Sequence, residues 1–190
     1  GFLYAWNSRA VRMMLFVTAL ANLASTPISV LAPVFADAIF QRGSTGLGFL
    51  TGSMGLGAMI GTYVLARNAA TANPVNVVLT STLLGGISLA VFAVSPWFQL
   101  SLAAIAVFGF SLFRQLAATN SLLQSLIGGA YRGRIMSLYS MTVVGMLPLG
   151  NLAAGTLAHA VGVRLTVAAG AVLSVAAAFI WYRESEAKTF

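Results

Sequence analysis

Few side chains in this sequence could do chemistry, and those that could are not grouped as a catalytic site requires. The chain has three acids, one histidine and no cysteine. His159 stands alone, with no second histidine or nearby acid that could share a metal ion or a proton with it. No Gly-Lys-Ser/Thr loop for nucleotide phosphates is present. We therefore predict neither an enzyme nor a metal or cofactor site.

Two stripes of polar side chains have a spacing that suits binding. The first stripe, within about a 100° arc of a 3.6-residue helix, contains Thr18, Asn22, Ser25, Thr26 and Ser29. The second contains Ser101, Phe108, Ser111, Gln115 and Thr119. Such mixed polar and aromatic walls are expected around a large amphipathic solute. Hydroxyls and amides also join helices or bond to their own backbone, so both a solute cavity and dry helix contacts remain open.

Arg114 is the sharpest single candidate, because ionisable residues within apolar segments mark functional sites by default. It lies about 25 Å beyond Trp97 at 1.5 Å per helical residue, which places it near one membrane face. Substrate contact and snorkelling into headgroups are both open. Asp37 is the only acid before the C-terminal tail, and we interpret it as a polar helix-end residue rather than a proton carrier.

Six long apolar stretches position these residues. The sequence is 59% hydrophobic and 7% charged, whereas soluble domains are about a quarter charged. About 20 helical residues cross a hydrocarbon core roughly 30 Å thick, and these stretches do not alternate as barrel strands do. We predict an all-α, polytopic membrane protein with one transmembrane domain over residues 1–190. The predicted spans are about residues 13–35, 43–66, 75–94, 97–116, 135–158 and 165–182.

Prolines and charges mark the limits of the spans. Pro27 and Pro33 are expected to interrupt the first span, and Asn73-Pro74 and Ser95-Pro96 bound the third. On the side of both termini fall Arg9, Arg12, Arg67, Arg132, Arg134, Arg183 and Lys188, and on the other side Arg42 and Arg164. By the positive-inside rule both termini are cytoplasmic. We therefore expect the basic residues behind the net charge of +7 to set the topology and to contact membrane lipids, not nucleic acid.

Glycines predict where helices pack closely. In the second span Gly48, Gly52 and Gly55 share one face, and Gly46, Gly57 and Gly61 share the opposite face. Close backbone approach on both faces would sandwich this helix. The fifth span carries a similar series of Gly145, Gly150, Ala154 and Gly155. The pairs Gly61-Thr62 and Gly155-Thr156 fit either an inverted repeat of three plus three spans or coincidence.

Several motifs resemble major facilitator transporters. Residues 132–140 (RGRIMSLYS), Gly145 and residues 148–155 (PLGNLAAG) resemble their tenth-to-eleventh helix region. Residues 1–12, Asn22 and residues 31–36 (LAPVFA) resemble the linker and seventh helix of the branch that holds enterobactin exporters and macrolide efflux proteins. One departure is Leu65, which stands where the facilitator signature loop has an aspartate.

The resemblance implies the C-terminal six-helix half of a twelve-helix secondary transporter, so we expect the sequence to start inside a longer protein. The first and fourth spans would line the substrate cavity, with Thr18, Asn22, Ser25, Ser29, Phe108, Ser111, Arg114 and Gln115 as candidates. The partner would be an N-terminal half or a second copy. The implied activity is efflux of a lipophilic or siderophore-like small molecule across a bacterial cytoplasmic membrane, driven by an ion gradient as in an antiporter. A non-transporting membrane scaffold, with dry stripes, is the alternative.

The topology is testable with single cysteines next to Arg42 and Arg132 in the cysteine-free chain. An impermeant thiol reagent applied to intact cells should label the Arg42 loop and spare the Arg132 loop. Preferential labelling beside Arg132 would reverse the assignment.

Overall fold

The computed structural model describes residues 2–68 and 71–186, which form seven α-helices and one π-helical turn. The helices are α1 (Phe2–Asn7), α2 (Arg9–Val34), α3 (Gly43–Arg67), α4 (Pro74–Val94), α5 (Phe98–Leu126), α6 (Gly129–Val161) and α7 (Val163–Glu186), and the π-helical turn Phe35–Ile39 follows α2. Gly1, Lys188 and Phe190, which enter the topology prediction, lie outside the described residues. Six helices are long and apolar enough to cross a membrane, which confirms the all-α polytopic class.

Helix α5 is longer than the span predicted for it. It continues from the predicted end near residue 116 to Leu126, and α6 starts immediately afterwards at Gly129. Leu122 and Leu123 are buried in this extension, so packing sustains the helix beyond the length that a bilayer requires. The two-residue connection between α5 and α6 leaves no room for a separate loop.

The prolines of α2 do not interrupt it, contrary to the sequence-based expectation. Pro27 has no N–H to give to the carbonyl of Leu23, one turn earlier. The hydroxyl of Thr26 donates to that carbonyl instead, at 2.7 Å. Neighbouring hydroxyls commonly repair a proline break in this way within membranes, and α2 therefore continues to Val34.

The main contacts of the six long helices follow the order α3–α5–α4–α7–α2–α6, with α3 and α6 at the two ends, and this row folds over so that α2 also touches α3 and α5, and α6 also touches α5. In an apolar 18-residue stretch of each helix, 61% of the residues are buried in α2, against 17% in α3 and 11% in α6. Exchanging the first three spans with the last three (α2 with α5, α3 with α6, α4 with α7) gives the same row read from its other end. Exchanged helices run in opposite directions, so the fold is an inverted repeat.

Glycines permit the closest helix contacts of this row. A β-carbon on Gly57 would meet the backbone of Ala106, and one on Gly61 would meet Phe110. Each step advances four residues on both helices, so α3 and α5 run parallel and in register. Gly150 of α6 lies against the side chain of Thr26 on α2, and the exchange of repeats makes α6 and α2 the counterparts of α3 and α5.

The other glycines singled out by the sequence lie in open space. Nothing lies within 4 Å of a β-carbon built on Gly48, Gly52, Gly55 or Gly155. The Gly-Thr pairs are therefore not equivalent packing positions, because Gly61 is covered and Gly155 is not. Within the described chain one glycine face of α3 is packed, and a cover for the other face stays a prediction.

The packing role of Gly57 predicts that Gly57→Ala lowers the free energy of unfolding by about 1–3 kcal/mol, as overpacking does. Thermal unfolding of the purified protein in detergent measures the change. Gly133→Ala is the matched control, since Gly133 is also helical and has nothing within 4 Å. Equal stability of the two variants would contradict the backbone contact.

Candidate functional site

The polar stripe of α2 lies mostly inside the bundle. Thr18, Asn22 and Ser25 are 0%, 4% and 8% exposed. Asn22 Nδ2 donates to the carbonyl of Thr18 at 2.9 Å, and Ser25 Oγ donates to that of Asn22 at 2.6 Å. Ser29 alone is exposed, and its hydroxyl donates to Oδ1 of Asn151 on α6 at 3.3 Å. These hydrogen bonds are contacts within and between helices.

The stripe of α5 is also internal. Phe108, Ser111 and Gln115 are at most 3% exposed and face α4 and α7 around a void of about 10 Å³. A void of this size holds one water at most, whereas small-molecule sites measure about 300–1,000 Å³. In this structure these side chains border no cavity of solute size, because α4 and α7 cover the polar face that the periodicity identifies, and their role in substrate binding stays a prediction.

A larger crevice opens at the end of the bundle where α2 begins and α7 ends, called here the terminal end. Its volume is about 480 Å³. It is lined by Phe113, Leu116, Ala117, Asn120, Ser121 and Gln124 of α5, Thr62 of α3 and Tyr139 of α6. Asn120 accepts a hydrogen bond from Gln124 at 2.5 Å. The Tyr139 hydroxyl donates to the Leu116 carbonyl at 2.9 Å and ties α6 to α5 across the crevice.

A second crevice, of about 250 Å³, opens between α2 and α3 towards the opposite end of the bundle. Its wall is mainly apolar and includes Ile28, Ser29, Leu50, Met54 and Ile105. The inverted repeat exchanges the α2–α3 pair with the α5–α6 pair and turns the bundle end over end. The first crevice is formed mainly by α5 and the second by α2 and α3, so the two lie towards opposite ends of the bundle with different linings.

The remaining sequence candidates are dispersed. Arg114 is partly buried on α5, with its guanidinium carbon 5.7 Å from the centre of the Phe110 ring. Asp37 is exposed in the π-helical turn at the opposite end, and His159 is exposed near the end of α6. Among the described residues no three His, Cys, Asp or Glu side chains come together as a metal site would require.

The polar residues of the terminal crevice escaped the sequence analysis because the predicted fourth span stopped near residue 116. Asn120, Ser121 and Gln124 repeat at intervals of three and four residues, which places them on one helix face with Ala117. That spacing indicates a polar helix face if the helix is extended beyond residue 116.

Comparisons with known proteins agree with this architecture. The sequence model of a family described as transmembrane secretion effector, among the major facilitators, matches residues 1–188. Enterobactin exporter EntS of Escherichia coli O139:H28 is 32% identical over 124 residues, which cover 65% of this chain and 28% of the relative. The protein of the same name from Shigella boydii serotype 18 gives the same values. The matched segment thus spans less than a third of these relatives.

The burial pattern predicts which single cysteines react with a soluble thiol reagent in the purified protein. Cysteines at Asn120 and Gln124 should react as fast as one at the exposed Ser125, because water reaches the terminal crevice. Cysteines at Ser111 and Gln115 should react at least about tenfold more slowly, because their side chains are excluded from water. Fast reaction at Gln115 would restore the original cavity assignment.

Proposed function

We infer that this chain, which belongs to the transmembrane secretion effector family of the major facilitator superfamily, supplies one half of an efflux transporter. The observation that carries the proposal is the pair of crevices, one towards each end of the bundle. Alternating access requires a pathway that can be reached from either side in turn, and inverted repeats commonly provide it. The exporter activity named for the relatives agrees with outward transport.

The partner of this half would cover α3 and α6, the two ends of the helix row. Their exposed large side chains include Phe49, Leu56 and Met59 on α3 and Met141 and Leu152 on α6. Gly48, Gly52 and Gly55 leave room on α3 for a closely packed helix. We propose that a second six-helix half, separately encoded, fused or a second copy, lies against this surface, and that lipid covers α4 and α7.

The proposed substrate is a lipophilic or siderophore-like small molecule. The terminal crevice combines an aromatic ring and aliphatic carbons with two amides and hydroxyl groups, which suits an amphipathic solute. Enterobactin is the compound in the relatives' name. We propose that a compound of this kind binds to the polar and apolar side chains of the terminal crevice.

The membrane is proposed to be the bacterial cytoplasmic membrane, with both termini inside. Arg9, Arg12, Arg132 and Arg134 then lie at the cytoplasmic end, as the positive-inside rule requires. In that orientation the terminal crevice opens to the cytoplasm, where an exporter takes up its solute.

An ion gradient is the proposed energy source, but this half offers no carboxylate for proton coupling at mid-membrane. Glu184 binds Arg9 in a salt bridge of 2.9 Å, Glu186 accepts a hydrogen bond from Tyr182 at 2.6 Å, and Asp37 lies at the opposite end. We propose that any coupling carboxylate belongs to the partner half. The non-transporting scaffold remains the second candidate, favoured by the dryness of the two stripes.

Efflux from vesicles with an imposed pH gradient tests the proposal. The intact protein should drive accumulation of a lipophilic fluorescent dye, and Gln124→Ala should slow it about tenfold, the effect of losing one well-placed hydrogen bond. Asp37→Asn should leave the coupled rate within about twofold, because the group is exposed and lines neither crevice.

Ser125→Ala is the matched control, since Ser125 neighbours Gln124 and bonds only to the Leu122 carbonyl. A wild-type protein without any transport would favour the scaffold. Loss of proton-driven efflux in Asp37→Asn, with downhill exchange preserved, would identify Asp37 as the coupling site.

A further inference from the structure

Arg114 has no partner of opposite charge among the described residues. The sequence contains ten basic residues and only three acids. Glu184 is engaged by Arg9 through two hydrogen bonds of 2.9 and 3.1 Å, and Glu186 accepts one from Tyr182. Asp37 lies in the turn after α2 at the opposite end of the bundle. The charge of Arg114 is therefore balanced by none of the three carboxylates.

The guanidinium of Arg114 is also incompletely hydrogen-bonded. Its Nε is buried and has no hydrogen-bond partner among the described residues. The Phe110 ring, 5.7 Å from the guanidinium carbon, offers a cation–π contact, which stabilises a charge but accepts no conventional hydrogen bond. A buried donor of a charged group without a partner is costly, and such a group has a strong tendency to bind an acceptor.

Arg114 lies on α5 one helical turn from residues that line two neighbouring crevices. On α5 it shares a face with Ala117, Ala118 and Ser121, three to seven residues later. Ala117, Ser121 and Thr62 line both the terminal crevice and a neighbouring crevice of about 220 Å³ between α3, α4 and α5. The two crevices thus share part of their wall one helical turn from Arg114, which itself lines neither of them.

The register of α3 and α5 gives the depth of Arg114. Gly57 faces Ala106 and Gly61 faces Phe110, so the next step of four residues places Arg114 level with Leu65. That level is further inside the bundle than Arg67, the last residue of α3. Gln124 and Asn120 lie closer to the terminal end than Arg114, so a solute that enters from that end meets them first.

We propose that Arg114 binds an anionic group of the exported solute, such as a carboxylate, sulfonate or phosphate. The planar guanidinium donates two parallel hydrogen bonds to such groups, which gives both strength and orientation. Asn120, Ser121 and Gln124 then contact the polar remainder of the solute, and Phe113 and Leu116 contact its apolar part. This inference rests on the proposed function, whose solute class it narrows to amphipathic anions.

Two fluorescent probes that differ only in charge test the inference: dansylglycine, a carboxylate, and dansylglycinamide, its neutral amide. Each is titrated against the intact protein in phosphatidylcholine nanodiscs, with empty nanodiscs subtracted. The wild type should bind the carboxylate about tenfold more tightly than the amide, and Arg114→Gln should abolish that preference while amide binding stays within about twofold. Arg114→Lys should keep part of the preference, because lysine retains the charge but lacks the planar guanidinium that donates two parallel hydrogen bonds.

Arg67→Gln is the matched control, since it removes an exposed arginine close in level to Arg114 and should keep the preference. Equal weakening of both probes in Arg114→Gln would show a structural role and overturn the inference. Equal binding of both probes by the wild type would also overturn it, as expected if a carboxylate of the partner half already occupied Arg114. Carboxylate preference without vesicle efflux would leave the binding inference standing and reject transport.

Discussion

The close approach of α3 and α5 is the contact on which the rest of the arrangement depends. At Gly57, Gly61 and Gly109 a missing β-carbon lets backbone meet backbone, and such packing is a main source of helix association in lipid. The contact holds the two helices in register, so the last turns of α5 extend beyond α3 and form the wall of the terminal crevice. The contact of Gly150 with Thr26 attaches α6 to α2.

Hydrocarbon supplies no hydrogen bonds, and this constraint explains why the polar stripes are structural. A hydroxyl or amide within a span is costly unless it finds a partner inside the protein, and the hydroxyls of Thr18 and Ser101 have none among the described residues. Asn22, Ser25 and Ser111 find one in the carbonyls of their own helices. Thr26 goes further, since its hydroxyl replaces the donor that Pro27 lacks. Solute binding is then left to polar residues at the ends of the bundle, where helices separate.

The sequence predicts the six helices but does not predict which helices pack against one another. Apolar length, together with breaks such as Asn73-Pro74, predicts six spans because these features are local. Periodicity locates the polar face of α5 but cannot show that α4 and α7 cover it, since that depends on contacts far apart in the chain. Arg114 stood out because charge is rare in such segments. Asn120 and Gln124 did not stand out, because the thickness of a bilayer predicts that the helix ends near residue 116.

The position of α2 between α6 and α7 has a consequence for biogenesis. Its two main neighbours are the last helices to be synthesised, so α2 enters the membrane well before either can shield it. At roughly 5–20 residues per second the delay amounts to seconds. Asn22 and Ser25 must meanwhile face lipid or a chaperoning insertase, and their hydrogen bonds to their own helix keep them satisfied in isolation. Asn22 and Ser25 therefore keep their hydrogen bonds within α2 during the interval before α6 and α7 are inserted.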